Sequence, residues 1–71
     1  MAKLVILDAH NAMVHIFKVS HLAEGRLEEI YDNDVEVWFD VEGYEDKYGI
    51  NLSNCNYIWL DDDGVIENYE I

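Results

Sequence analysis

The stretch DVEVWFDVEGYEDKY, residues 34–48, decides the fold, because two different periodicities run through it. Its first half alternates: valines at 35, 37 and 41 and the phenylalanine at 39 are separated by Glu36, Trp38 and Asp40. This alternation, together with the β-branched valines, favours a strand. A second set, Val37, Val41, Tyr44 and Tyr48, recurs every three or four residues, which is the spacing of one face of a helix.

The residues at the two ends of this stretch favour the helix. Asn33 followed by Glu36 has the form of a capping box, which starts helices. Gly49 followed by the apolar Ile50 matches a Schellman-type stop. We therefore predict a helix over residues 34–48 and keep the strand as the alternative.

A helix is also predicted immediately before this stretch, over residues 21–31. Ser20 is a suitable N-cap, and the apolar residues that follow it are spaced three or four apart. Gly25 weakens the helix by about 1 kcal/mol relative to alanine. The middle of the chain is thus expected to be helical.

The first part of the chain, residues 3–18, has the pattern of a β-hairpin. The predicted strands are Leu4–Ala9 and Ala12–Phe17, with His10 and Asn11 as a two-residue turn. One face of this hairpin is wholly apolar and is the expected core. The other face is mixed and is expected to be open to a partner or to a second copy of the chain. The apolar face consists of Val5, Leu7, Ala9, Ala12, Val14 and Ile16, and the mixed face of Leu4, Ile6, Asp8, Met13, His15 and Phe17.

The last part of the chain, residues 56–70, predicts a second hairpin. Its strands are Asn56–Leu60 and Val65–Tyr69, and Asp63-Gly64 is the turn, since glycine adopts positive φ without steric cost. Two hairpins that form a small antiparallel sheet around a helical middle make an α+β fold. We expect one domain over residues 1–71, because a chain this short sustains only one core.

Charge separates the first third of the chain from the rest. Residues 1–23 carry a net charge of +1 and residues 24–71 one of −13. Between residues 24 and 46 there are ten carboxylates and one cation, Arg26. This excess of negative charge repels phosphate backbones and anionic lipids, so direct binding of nucleic acid or of a membrane is not expected.

The single cysteine, Cys55, excludes an internal disulfide, which fits a reducing cytoplasm. The apolar run near the start, Leu4–Leu7, is too short for a signal peptide or a membrane span. We therefore predict a cytoplasmic protein.

One motif suggests a metal. Asp61, Asp63 and Glu70, with Gly64 between them, have the spacing of the second half of a calcium loop. Trp59 stands at the first ligand position, and only Ile71 follows Glu70, so a complete site is not expected. Weak cation binding at this turn stays open as one alternative function. The chain shows no catalytic cluster and no cofactor motif, and we predict that it is not an enzyme.

The charge itself carries the main functional hypothesis. Carboxylates on a rigid surface offer a basic groove a substitute for a nucleic-acid backbone. We therefore expect a basic, nucleic-acid-binding protein as the partner, and a self-associating module or homodimer is a further alternative. The expected contacts are Glu28, Glu29, Asp32, Asp34, Glu36, Asp40, Glu42, Glu45 and Asp46, with Trp38 or Tyr44 as apolar anchors if exposed.

No motif of this chain identifies a family. In charge and size alone it is similar to the small acidic inhibitors of phages and mobile elements that mimic DNA and block restriction or CRISPR nucleases. That likeness implies an antirestriction or anti-CRISPR type of inhibitor.

Overall fold

A three-stranded antiparallel sheet and a helical segment that covers one of its sides make up the fold, as a computed structural model of residues 1–71 shows. The first strand is central, and the strand order is β2-β1-β3. The predicted α+β class is confirmed. The elements are β1 (Ala2–Asp8), β2 (Met13–Val19), α1 (His21–Tyr31), α2 (Val35–Val41), α3 (Tyr44–Tyr48), a 3₁₀ turn (Leu52–Asn54) and β3 (Asn56–Leu60).

The first hairpin has the predicted register, with Leu4 opposite Phe17 and Asp8 opposite Met13. Its loop is longer than predicted and spans residues 9–12. The positive φ of 53° falls on Ala12 and not on His10 or Asn11. Asn11 instead hydrogen-bonds to the last residue of β1, Asp8. Its Nδ2 donates to Oδ2 of Asp8 at 2.8 Å, and its backbone N–H donates to Oδ1 at 3.2 Å.

The prediction of which hairpin face is buried was wrong. The mixed face points to the helices: Leu4 and Ile6 are fully buried, and Asp8 is buried beside them. The wholly apolar face is open, and Leu7, Val14 and Ile16 are exposed on it. The mixed face tolerates burial of its one carboxylate because Asn11 supplies the two hydrogen bonds that a buried charge requires.

The helix over residues 34–48 is confirmed, but it consists of two short helices. α2 begins after Asp34, whose side chain accepts from the backbone N–H of Val37 at 3.2 Å, so the cap is one residue later than predicted. Gly43, at φ 88°, separates α2 from α3. Gly49 ends α3 at φ 68° and Ile50 is buried behind it, as the Schellman pattern predicted.

α1 has the predicted bounds. The hydroxyl group of Ser20 accepts from the backbone N–H of Ala23 at 3.2 Å, which is the N-cap interaction. Gly25 lies inside the helix. Asp32 ends it in the left-handed region, at φ 53°.

The core is formed between the helices and the inner side of the sheet. Trp38 and Phe39 of α2 are both buried. Their rings lie against the sheet edge-on: the Trp38 and Trp59 centroids are 6.0 Å apart and those of Phe39 and Phe17 are 5.8 Å apart. Such edge-to-face pairs stabilise the packing by about 0.5–1.5 kcal/mol each beyond the area they bury. The nine buried apolar residues are Ala2, Leu4, Ile6, Val19, Leu27, Trp38, Phe39, Ile50 and Leu52.

The predicted second hairpin does not form. β3 pairs with β1, with Val5 opposite Ile58, and no strand follows it. The chain does turn after β3, where the N–H of Gly64 donates to the carbonyl of Asp61 at 2.8 Å. Glycine is needed there for close approach, because a Cβ would lie 2.8 Å from Cβ of Leu60. The segment of residues 65–71, which we call the C-terminal tail, is exposed and belongs to no strand.

Candidate functional site

Several acidic residues of the helical layer lie near β3 or near the 3₁₀ turn that precedes it. At one end of this region Glu28 of α1 and Asp61, which follows β3, line a shallow hollow together with Trp59. These two carboxylates are far apart in the sequence. They meet because β3 pairs with β1 on the side away from β2.

The middle of this region surrounds Tyr57. Its ring lies on the inner side of β3, and Asp34 and Glu36 approach it from the start of α2. Burial of the phenol raises the pKa of Tyr57, and the negative charges of Glu36 and then Asp34 raise it further. The local potential around the phenol is therefore negative.

At the other end, Glu36 and Asp40 stand one helical turn apart on α2, a rise of about 6 Å. Glu45 of α3 joins them in one hollow with Ser53, and Asp46 follows beside Glu45. The pKa of Glu45 is raised, chiefly by its hydrogen bond to Asp40 and then by burial and by the charges of Asp40 and Asp46.

We call these carboxylates together the acidic band. They form two groups. Glu28 and Asp61 share one hollow, and the other five are linked by Tyr57, by a second hollow and by adjacency in the chain. The band consists of Glu28, Asp34, Glu36, Asp40, Glu45, Asp46 and Asp61. Glu24 lines the same hollow as Glu28 and Asp61, but we leave it out of the band because it already has partners: it accepts from the backbone N–H of Ala2 at 2.7 Å and lies 3.6 Å from Nδ1 of His21.

No cation of the chain pairs with the band. Arg26 binds Glu42 instead, with Nε 2.5 Å from Oε1 and Nη2 3.1 Å from Oε2. Lys47 lies 5.3 Å from the ring centre of Tyr48. Lys3 and Lys18 are opposite each other on the outer side of the sheet. Among the ion pairs of the molecule, none includes a carboxylate of the band.

Three of the predicted contact residues lie outside the band. Glu42 is held by Arg26 and by the hydroxyl group of Tyr31, which donates to it at 3.3 Å. Those donors lower the pKa of Glu42, Arg26 being the larger cause. Glu29 and Asp32 are exposed, but they line none of the hollows that connect the band.

The predicted apolar anchors are not available on the surface. Trp38 is 3% exposed and is therefore part of the core. Tyr44 is half-buried, 5.3 Å from the Trp38 ring and 5.6 Å from the Phe39 ring. A partner that contacts the band would meet Tyr57 and Trp59 instead, both of which the sequence reasoning missed together with Asp61. The alternation of β3 places Tyr57 and Trp59 on one face, but which face is inward depends on the pairing with β1.

Two other features of the molecule lie outside the acidic band. An apolar cleft beside Phe17, Trp38 and Tyr48 encloses about 180 Å³, which is below the roughly 300–1,000 Å³ of small-molecule pockets. Cys55 lies near Asp8, and burial followed by that carboxylate raises the pKa of the thiol. A nucleophilic cysteine needs the opposite shift.

No group of three or more His, Cys, Asp or Glu side chains is arranged to hold a metal ion. The suggested calcium ligands Asp61, Asp63 and Glu70 are therefore not brought together as a site. The helices are also too short and too polar for any of them to cross a membrane.

No protein family, curated protein or solved structure matches this chain. What it does must be inferred from its own residues and their arrangement.

Proposed function

We propose that this chain is a non-enzymatic binding protein whose acidic band occupies the basic nucleic-acid groove of another protein. The observation that carries this proposal is the separation of charge: the seven carboxylates of the acidic band take part in none of the ion pairs of the molecule. A partner that supplies lysine and arginine would complete the ion pairs that the fold leaves open.

Helix capping accounts for only part of the band. Asp34, Glu36, Glu45 and Asp46 lie at the starts of α2 and α3, where the helix dipole favours negative charge. Asp40 lies in the last turn of α2, where the dipole disfavours it, and it faces Glu45 as well. A charge kept at an unfavourable position supports a role outside the fold.

The proposed partner class is a nucleic-acid-binding protein, with restriction and CRISPR nucleases as the leading candidates. Such proteins present grooves lined with cations that bind phosphates, and electrostatic complementarity accelerates association with them. The chain itself is not expected to bind DNA or RNA, because its net charge is −12.

The experiment compares two variants of equal net charge. The band variant is Glu36→Gln, Asp40→Asn, Glu45→Gln. The control is Glu29→Gln, Asp32→Asn, Glu67→Gln, which removes three carboxylates outside the band. Each is immobilised and exposed to host extract at about 0.05 M and about 0.5 M salt, since this range shortens the screening length from above to below 10 Å.

We expect the native chain and the control to retain the same proteins at low salt. Duplex DNA or RNA should elute these proteins. The band variant should retain at least 10-fold less of them than the native chain does. Retention that is unchanged by salt, by added nucleic acid or by the band substitutions would reject the proposal. We also expect that the chain does not bind nucleic acid itself, and a gel shift of DNA or RNA by the chain alone would contradict this.

A further inference from the structure

The outer side of the sheet is an exposed apolar surface. It continues across all three strands, because Val5 of β1 is opposite both Ile16 of β2 and Ile58 of β3. Ile16 and Ile58 are 52% and 55% exposed. We call this surface the acid-free face. It consists of Lys3, Val5, Leu7, Val14, Ile16, Lys18, Asn56, Ile58 and Leu60.

The charge of this face is opposite to that of the rest of the molecule. The chain has 16 carboxylates, and none of them lies on the acid-free face. Lys3 and Lys18, half of the Lys and Arg residues, stand side by side at the end of the face away from the hairpin loop. This is therefore the surface on which two copies of so acidic a chain approach each other with the least repulsion.

The core of one copy is small. Ten of 71 residues are buried, although 51% of the chain is hydrophobic. Chains near this size often need a second contribution to stability, such as oligomerisation. Burying the acid-free face would convert its exposed valine, leucine and isoleucine side chains into core.

We infer that a second copy of this chain covers the acid-free face with its own acid-free face. Two sheets that pack in this way lie about 10 Å apart. The product has four layers, with both helical layers and both acidic bands away from the contact. If the twofold axis crosses the strands, the Lys3 and Lys18 end of one sheet lies over the Leu7 and Val14 end of the other. The lysine stems then lie along the rim with their charges in water.

The size of the face predicts a weak dimer. β1 and β2 are about 23 Å long, β3 is shorter, and three strands span about 14 Å. Each copy would therefore bury roughly 300 Å² of projected area, which is less than in standard specific interfaces and is typical of weak association. We expect a dissociation constant of roughly 1–100 µM. Salt should tighten this dimer, because it screens the repulsion between two copies that each carry a charge of −12. The proposed complex with a basic protein responds to salt in the opposite direction.

The test is sedimentation equilibrium of the native chain between about 1 and 300 µM, at about 0.05 M and about 0.5 M salt. We expect a monomer–dimer equilibrium with a larger dimer fraction at the higher salt. A monomer under all of these conditions would overturn the inference.

Two isoleucines of nearly equal exposure provide the matched variants. Ile16→Lys places a charge in the acid-free face, and Ile30→Lys makes the same change on α1, where Ile30 is 57% exposed. We expect Ile16→Lys to weaken the dimer at least 10-fold and Ile30→Lys to leave it unchanged. Equal dimerisation of both variants would place the contact elsewhere and overturn the inference.

Circular dichroism checks that both variants fold. Ile58→Thr provides a second test, because threonine keeps the β preference while removing apolar area from β3. It should also weaken the dimer, and an unchanged dimer would count against the inference. Neither Ile16→Lys nor Ile58→Thr touches the acidic band, so loss of the dimer leaves the nucleic-acid-mimic test intact and each proposal can fail alone.

Discussion

The carboxyl groups of Glu45, at the start of α3, and Asp40, in the last turn of α2, lie together in one hollow, and the interaction with Asp40 raises the pKa of Glu45. Glu45 can donate a hydrogen bond to Asp40 only while it is protonated. Above its raised pKa the two groups repel each other across the break at Gly43. The most concentrated part of the acidic band is thus stabilising in acid and destabilising at neutral pH.

Glu45→Gln should therefore stabilise the protein at pH 7. Because the folded-state pKa of Glu45 is raised, its contribution to stability is complete below the unfolded value of 4.5 and is lost as pH rises through the folded value. Glutamine keeps the donor without the charge. We expect Tm to rise by about 1–4 °C at pH 7 and to change little at pH 4. Glu29→Gln is the control, and an equal effect of both at pH 7 would contradict the prediction.

Asn11→Ala should destabilise the protein above the unfolded pKa of Asp8 and much less below it. The side-chain hydrogen bond from Asn11 is the largest cause that lowers the pKa of Asp8 from 3.8. A lowered carboxyl pKa gives stability that is present above the unfolded value and lost as pH falls through the folded one. We expect Tm to fall by roughly 5 °C at pH 7. A difference from the native chain that stays constant down to pH 2 would contradict this explanation.

Two glycine substitutions should act in opposite directions. Gly25 lies inside α1, and a Cβ at this position would have no neighbouring atom within 4 Å, so Gly25→Ala should raise the free energy of unfolding by about 0.5–1 kcal/mol. Gly43 has φ 88°, so Gly43→Ala should lower it by about 1 kcal/mol. Urea denaturation measures both. Stabilisation by both substitutions would show that the break between α2 and α3 does not need glycine.

Removal of the C-terminal tail should leave the fold intact. The tail forms no strand, and its tyrosine bonds only within the tail, to Glu67. A chain that ends at residue 64 should melt within about 2 °C of the full chain. A chain that ends at residue 57 loses most of β3, including the buried contact between Trp59 and Trp38, and should not fold. A large loss of Tm in the chain that ends at residue 64 would support the second hairpin after all.

Local sequence signals were enough to predict several secondary-structure features of this protein. The sequence alone predicted the helix starts near Ser20 and Asp34, the stop at Gly49 and the register of the first hairpin, because capping and turn chemistry act over four residues or fewer. The crowding of carboxylates between residues 24 and 46 was equally visible.

Only the tertiary structure decided which face of the hairpin is core. Both faces carry large apolar residues, so the alternation does not distinguish them, and the helices cover the Leu4 and Ile6 face. The tertiary structure also decided that the predicted strand Val65–Tyr69 does not form. A strand paired with the free edge of β3 about Asp63-Gly64 would bring Glu70 opposite Tyr57, close to Glu36 and Asp34, and like charges there oppose the pairing. The pairing of β3 with β1 also places Asp61 in the same hollow as Glu28, and no local pattern specifies such a contact.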